Sequence, residues 1–175
     1  MSDGDAIDQM MAAWREQLPG LDPSPLAVVG RVIVLARHLE RSVAEALVPH
    51  GLSLGEFDIL ATLRRHGPAG GLTPGQLLGS VMLSSGGMTA RLDKLETAGL
   101  IERSQDPTDR RGVVVALTAK GRKLIDAATA TRFQEAERSM PPLTAQETKT
   151  LASLLRKWLL PYTSESNVTV GARRR

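Results

Sequence analysis

The sequence predicts a mainly α protein that carries one two-stranded β-hairpin. Apolar residues recur at spacings of three and four through most of the 175 residues. Aromatics make up only 3% of a chain that is 42% hydrophobic, a balance that suits packed helices better than a β-sandwich. One central stretch, residues 100–117, changes to a period of two. The length fits a single domain with a sizeable core.

Ile7, Met10, Met11 and Trp14 fall at i, i+3, i+4 and i+7, marking a short helix over 5–17 that Pro19 and Gly20 end. After Asp22, Pro23, Ser24 and Pro25, one face of a longer helix over 26–48 is lined by Val28, Val32, Leu35, Leu39, Val43 and Leu47. Pro49 and Gly51 stop it. Ser53 and Glu56 have the spacing of a capping box and open a helix with Phe57, Leu60, Ala61 and Leu63, ending near Gly67 and Pro68. Thr73 and Gln76 repeat the device, with Pro74 at the first helical position, for a short helix to about Val81. Ser84 or Ser85 caps a third helix over 86–98, with Met88, Leu92 and Leu95 on one face and Gly99 at its stop.

Residues 100–104 are short and extended, 105–112 are rich in turn formers and charge, and Val113, Val115 and Leu117 alternate, which makes a hairpin with a charged tip. Helix resumes over 118–140, breaks at Pro141 and Pro142, and restarts from the capping box of Thr144 and Glu147 with Leu151, Leu154, Leu155, Trp158 and Leu159. A disordered tail is predicted over 162–175.

Composition narrows the function. With no cysteine, disulfides, thiolate metal sites and a Cys nucleophile are excluded together. The first ten residues carry Asp3, Asp5 and Asp8 and lack the basic start and apolar run of a signal peptide, and no apolar stretch reaches membrane-spanning length, so a cytoplasmic protein is expected. His38, His50 and His66 are too scattered for a metal pair. No cofactor fingerprint or nucleophile-base cluster appears, and the Gly70-Gly71 and Gly86-Gly87 pairs read as turn and helix-start features. The expectation is a protein without cofactor or enzymatic activity. A net charge of +3 permits nucleic-acid binding without demonstrating it.

Two short helices followed by a hairpin form a winged helix-turn-helix order, here over 53–117, in which the second helix enters the major groove and the hairpin tip reaches the backbone or minor groove. The outward face of that helix, Ser85, Gly86, Thr89, Ala90, Asp93 and Lys94, is small and polar, so it can sit deep. Amides of Ser85 and Gly86 can meet a phosphate, while Thr89 and Lys94 can donate to bases or backbone. The tip, Asp106-Pro107-Thr108-Asp109-Arg110-Arg111-Gly112, puts two guanidiniums on a turn, with Asp109 able to orient Arg111. The predicted DNA-contacting set is Thr73, Ser84, Ser85, Gly86, Thr89, Ala90, Lys94, Arg103, Asp109, Arg110 and Arg111. The terminal helices, 5–48 and 118–161, carry more apolar surface than this lobe can cover and are expected to dimerise.

The run from Leu52 to Gly121 resembles the MarR family of regulators. The resemblance lies in Leu95-Glu96-Thr97-Ala98-Gly99-Leu100-Ile101, and in Asp109-Arg110-Arg111 leading to Val115-Ala116-Leu117-Thr118-Ala119-Lys120-Gly121. It implies a homodimer on double-stranded DNA at a pseudo-palindromic operator, acting as a transcriptional repressor.

Arg91 falls between Met88, Leu95 and Ala98 on the inward face of its helix and needs an anion. Asp58 is one candidate partner, and Trp14 offers a flat surface. This set resembles the urate-responsive, PecS-type branch of the family, which adds an N-terminal helix bearing a Trp and uses an Asp and an Arg at positions matching Asp58 and Arg91. Where that branch has an Asn, this chain has His66. The resemblance implies release from DNA by a small planar anion such as urate, with Trp14, Asp58, Arg91 and His66 as its ligands. Three alternatives stay open: a different phenolic or carboxylate effector, a plain Asp58 to Arg91 salt bridge with no effector, and a winged-helix module that binds protein.

Overall fold

The computed structural model describes residues 4–66, 71–81, 87–106 and 112–171, and side chains as far as residue 162. The elements run α1 Ala6–Gln17, α2 Leu26–Leu47, a 3-10 turn Val48–His50, α3 Leu54–Arg65, α4 Pro74–Ser80, α5 Met88–Thr97, β1 Ile101–Gln105, β2 Val113–Leu117, α6 Ala119–Ser139 and α7 Ala145–Gly171. The chain divides into two compact units, Met1–Glu45 and Ala46–Arg175, where its length alone predicts one.

In the first unit, Asp5 caps α1 by accepting hydrogen bonds from the Ile7 and Asp8 amides at 2.9 and 3.1 Å, and Asp8 accepts from the Asp5 amide at 3.0 Å. Arg31 of α2 then bridges both carboxylates at 2.8 Å. Gly30 lets the helices approach, since a Cβ there would lie 3.1 Å from Ile7 Cδ1. Met11 and Val43 are buried, while Val28, Val29, Ile33, Val34, Leu35 and Leu39 of α2 stay exposed.

In the second unit α3 is the central post. Ile59, Leu60, Ala61, Thr62 and Leu63 are all buried, and the helix packs against α4, α5, α6 and β2. The strands pair antiparallel from Ile101 opposite Leu117 to Gln105 opposite Val113. Leu72 adds a one-residue bridge to Val115, with hydrogen bonds of 2.9 and 2.8 Å in the two directions. Gly71 makes this approach possible: its φ is +71°, and a Cβ there would meet the Val115 oxygen at 2.5 Å.

The junction from α5 to β1 explains the shared sequence pattern physically. Gly99 ends α5 with φ +67°; its amide donates to the Glu96 oxygen at 2.8 Å and the Leu100 amide to the Leu95 oxygen at 2.9 Å, a Schellman ending. The remaining carbonyls are met from the start of α6. Thr118 Oγ1 donates to the Gly99 oxygen at 2.8 Å and Lys120 Nζ to the Ala98 oxygen at 2.7 Å. Thr118 also caps α6 by accepting from the Gly121 amide at 3.0 Å. Gly121 is the point of closest approach, for a Cβ there would lie 1.9 Å from the Leu100 oxygen.

Pro161 does not end α7. The chain stays helical to Gly171, where the sequence pattern predicts an unordered tail from 162. A proline removes one amide donor and crowds one carbonyl, and the residues on either side keep their own i to i−4 partners. Leu151, Leu154, Leu155, Trp158, Leu159 and Tyr162 form an exposed stripe at helical spacing along α7.

Candidate nucleic-acid interface

Helix α5 has the two faces its sequence predicts except at Ala98, which is expected inward and is exposed at the C-cap. Met88, Leu92 and Leu95 are buried, while Thr89, Ala90, Asp93, Lys94 and Thr97 face solvent. Its start differs from expectation. The helix begins at Met88, two residues later than predicted, and Gly87 is the N-cap, at φ +78° with no side-chain cap. A left-handed backbone turn, open to glycine, performs the entry that a serine hydroxyl was expected to perform. Ser84, Ser85 and Gly86 lie outside the described residues, as do Asp109, Arg110 and Arg111. The wing is described to its neck, where the Asp106 amide donates to the Gly112 oxygen at 2.9 Å. Thr73 caps α4 through the Gln76 amide at 3.2 Å.

Lys94 and Arg103 are engaged within the protein. Lys94 Nζ lies 2.6 Å from Glu56 Oε1 of α3, the lysine side chain being 69% exposed and the glutamate 4%. Burial pulls the Glu56 carboxyl upward, and Lys94 and Ser53 more than offset that, so it titrates below its ordinary range. Lys94 therefore holds α5 onto α3 while its stem remains in solvent. Arg103, expected among the DNA contacts, donates from one nitrogen to Glu96 Oε2 and from another to Asp93 Oδ1, both at 2.7 Å. Hydrogen bonding to Asp93, reinforced by the charge of Glu96, raises its pKa further. Period-based reading missed this clamp because Arg103 and Asp93 belong to elements of different type.

Arg91 is only half-buried rather than fully inward. Its guanidinium lies across Gly55 of α3, where a Cβ would come within 2.7 Å of Nε and 3.1 Å of Cζ. Asp58, buried, follows one turn later on α3. Gly55 was not singled out from sequence, although a glycine inside a helix is the signal that something approaches closely. His66 is not brought to Arg91. It caps the far end of α3, about 12 Å along the axis from Asp58 by helical rise, and lines a separate open hollow of about 500 Å³ with Leu72, Thr73 and Gln76. Trp14 belongs to the first unit, 47% exposed, beside a hollow of about 340 Å³ shared with Leu18, Leu21 and Leu26.

Comparison with known proteins bears directly on this arrangement. The model of the MarR family matches residues 52–113, the span from the start of α3 into the second wing strand. The chain is 32% identical over 149 residues to the HTH-type transcriptional regulator PecS of Dickeya dadantii, a match that spans 85% of this chain and 90% of that protein. The chain belongs to the MarR family. A mutant MarR from E. coli, solved in complex with operator DNA, superposes with a TM-score of 0.66 at 30% identity, covering 83% of this chain and 97% of that one. CouR from Rhodococcus jostii, solved bound to p-coumaroyl-CoA, superposes with a TM-score of 0.61 at 26% identity over 78% and 90% of the two chains.

As a MarR-family member the protein is a DNA-binding transcriptional regulator and not an enzyme. The Ala98, Gly99 and Leu100 carbonyls that meet Thr118, Lys120 and Gly121 place the family-like sequence pattern at one structural joint, where recognition helix, wing and α6 converge. No helix among the described residues is long and apolar enough to cross a membrane.

Proposed function

We propose that this regulator is a homodimeric repressor on a pseudo-palindromic operator, released by a small planar anion, urate or a related compound, that engages Arg91 beside Asp58. The observation that carries the release mechanism is the Arg91 guanidinium lying over Gly55. It places the end of an α5 side chain against the backbone of α3, beside the Lys94 to Glu56 ion pair that joins the same two helices. An anion that draws Arg91 away changes how α5 seats, and with it the spacing of the two recognition helices of a dimer. Shifting a dimer from mostly bound to mostly free takes a few kcal/mol of differential affinity.

Dimerisation is supported by the rows of exposed apolar side chains on α2 and on α7, since contiguous apolar surface of this kind is commonly covered by a second copy of the chain. The resemblance of Trp14, Asp58 and Arg91 to the urate-responsive, PecS-type branch supports a urate-like effector, and CouR, a protein of similar fold, is solved bound to p-coumaroyl-CoA. DNA contact is assigned to Thr73, Ser84, Ser85, Gly86, Thr89 and Ala90 in the helix-turn-helix and to Asp109, Arg110 and Arg111 in the wing tip.

The test has three readings. Affinity for the protein's own upstream DNA, measured against salt, should fall steeply, and Arg110→Ala and Arg111→Ala should each lower the slope by about one. Urate, related purines and aromatic carboxylates should be screened for a raised Tm and for release of DNA, with Arg91→Ala abolishing both effects and Trp14→Ala and His66→Ala reporting whether those residues contribute. If no anion stabilises the wild type, Arg91 and Asp58 are structural and the release mechanism is wrong. Sedimentation should give a dimer that Leu154→Glu dissociates.

A further inference from the structure

Two carboxylates stand on the side of α5 that turns toward the wing. The side chains of Asp93 and Glu96 are 57% and 39% exposed. Uncompensated, they would repel the phosphates that a recognition helix must approach. One guanidinium reaches both. Arg103, its side chain 28% exposed, directs separate nitrogens at Asp93 Oδ1 and Glu96 Oε2, each at 2.7 Å. Its backbone is held as firmly as its head, because Arg103 sits in the middle of β1 opposite the fully buried Val115.

The geometry points to Arg103 as a positioning residue for DNA binding, one that ties the wing to the recognition helix and partly neutralises that helix's acidic side without itself touching DNA. The fork geometry suits the task, since a planar guanidinium presents donors in several fixed directions and can span two acceptors three residues apart on a helix. The wing's direction then follows the direction of α5, so the two parts that contact DNA move as one body. Removing Arg103 both frees the wing and leaves two bare carboxylates beside the major groove.

The inference rests on α5 being the recognition helix, and the experiment separates the two. Affinity of the full-length protein for its own upstream DNA is measured against salt for the wild type, Arg103→Gln, the pair Asp93→Asn with Glu96→Gln, and the triple variant. Amide hydrogen exchange of the wing strands is followed without DNA. Arg103→Gln should weaken binding roughly five- to tenfold, the scale of two partly exposed ion pairs, and should speed exchange at β1 and β2. In the background lacking both carboxylates the same substitution should change affinity less than about twofold. A direct phosphate contact predicts the opposite: an equal loss in both backgrounds and a salt slope lower by about one. That result, or wing exchange unchanged by Arg103→Gln, overturns the assignment. Should the wild type show no preference for its own upstream DNA, the reading of α5 fails instead, while wing exchange still decides whether Arg103 is a tether.

Discussion

Gly121→Ala puts a methyl group where the structure holds a carbonyl. The new Cβ would lie 1.9 Å from the Leu100 oxygen and 2.8 Å from its carbon, the nearer contact about 1.4 Å inside an ordinary C···O approach. Both obstructing atoms are backbone, so no rotamer relieves the overlap and the start of α6 must back away from β1. Retreat stretches three hydrogen bonds: Thr118 amide to Leu100 oxygen at 3.1 Å, Thr118 Oγ1 to Gly99 oxygen at 2.8 Å and Lys120 Nζ to Ala98 oxygen at 2.7 Å. At about 1 kcal/mol each, their loss is worth about 3 kcal/mol. Alanine's better helix propensity returns about 0.5–1 kcal/mol. The net expectation is a destabilisation of about 2 kcal/mol, or a Tm lower by about 4–8 °C for a chain of this size. The assay is thermal and urea unfolding beside Gly79→Ala, whose Cβ in α4 has nothing within 4 Å and should hold or raise the Tm. A Gly121→Ala protein as stable as the wild type would refute the claim that this joint is close-packed through glycine.

Other consequences are as open to measurement. Lys94→Met leaves the buried Glu56 carboxylate with Ser53 alone, so burial should dominate and lift its pKa, at a cost of about 1 kcal/mol near pH 7. In the wild type the depressed Glu56 pKa contributes stability above the ordinary carboxylate range that is lost as pH falls through the folded-state value; in Lys94→Met this contribution should vanish or reverse, as paired pH-stability curves would show. Gly55→Ala pushes only the flexible end of Arg91 aside, so stability should change by less than about 1 kcal/mol while effector-induced release of DNA shifts, a split visible by comparing Tm with operator binding in the presence of urate. Asp5 has its pKa lowered, chiefly by its hydrogen bond to Arg31, so acidification through that lowered value should loosen α1, and Asp5→Asn should remove this pH dependence of α1 amide exchange. Thr118→Val keeps the shape but removes both the α6 cap and the bond to Gly99, with an expected loss of about 1–2 kcal/mol in urea unfolding.

Most element boundaries were legible because their signals are local. Ser53 with Glu56, Thr73 with Gln76, and Thr144 with Glu147 each close hydrogen bonds within three residues of sequence, and the structure has each of them. The buried face of α5 was legible from periodicity alone. The entry to α5 differs from the sequence reading because Gly87, not a serine, is its N-cap, and α7 runs through Pro161 to Gly171 where the terminal position of the segment predicts a disordered tail.

The candidate site divides along the same line. The sequence by itself determined the order of helices and wing, the polar face of α5 and the family, since all of these are written in periods, caps and contiguous motifs. Only the tertiary structure decided what the charged side chains meet: Lys94 on buried Glu56, Arg103 on Asp93 and Glu96, Arg91 across Gly55, and His66 about 12 Å along α3 from Asp58. A long cationic side chain can reach several neighbours from one position, and which carboxylate it finds depends on how separate elements pack, a relation that no spacing along the chain encodes.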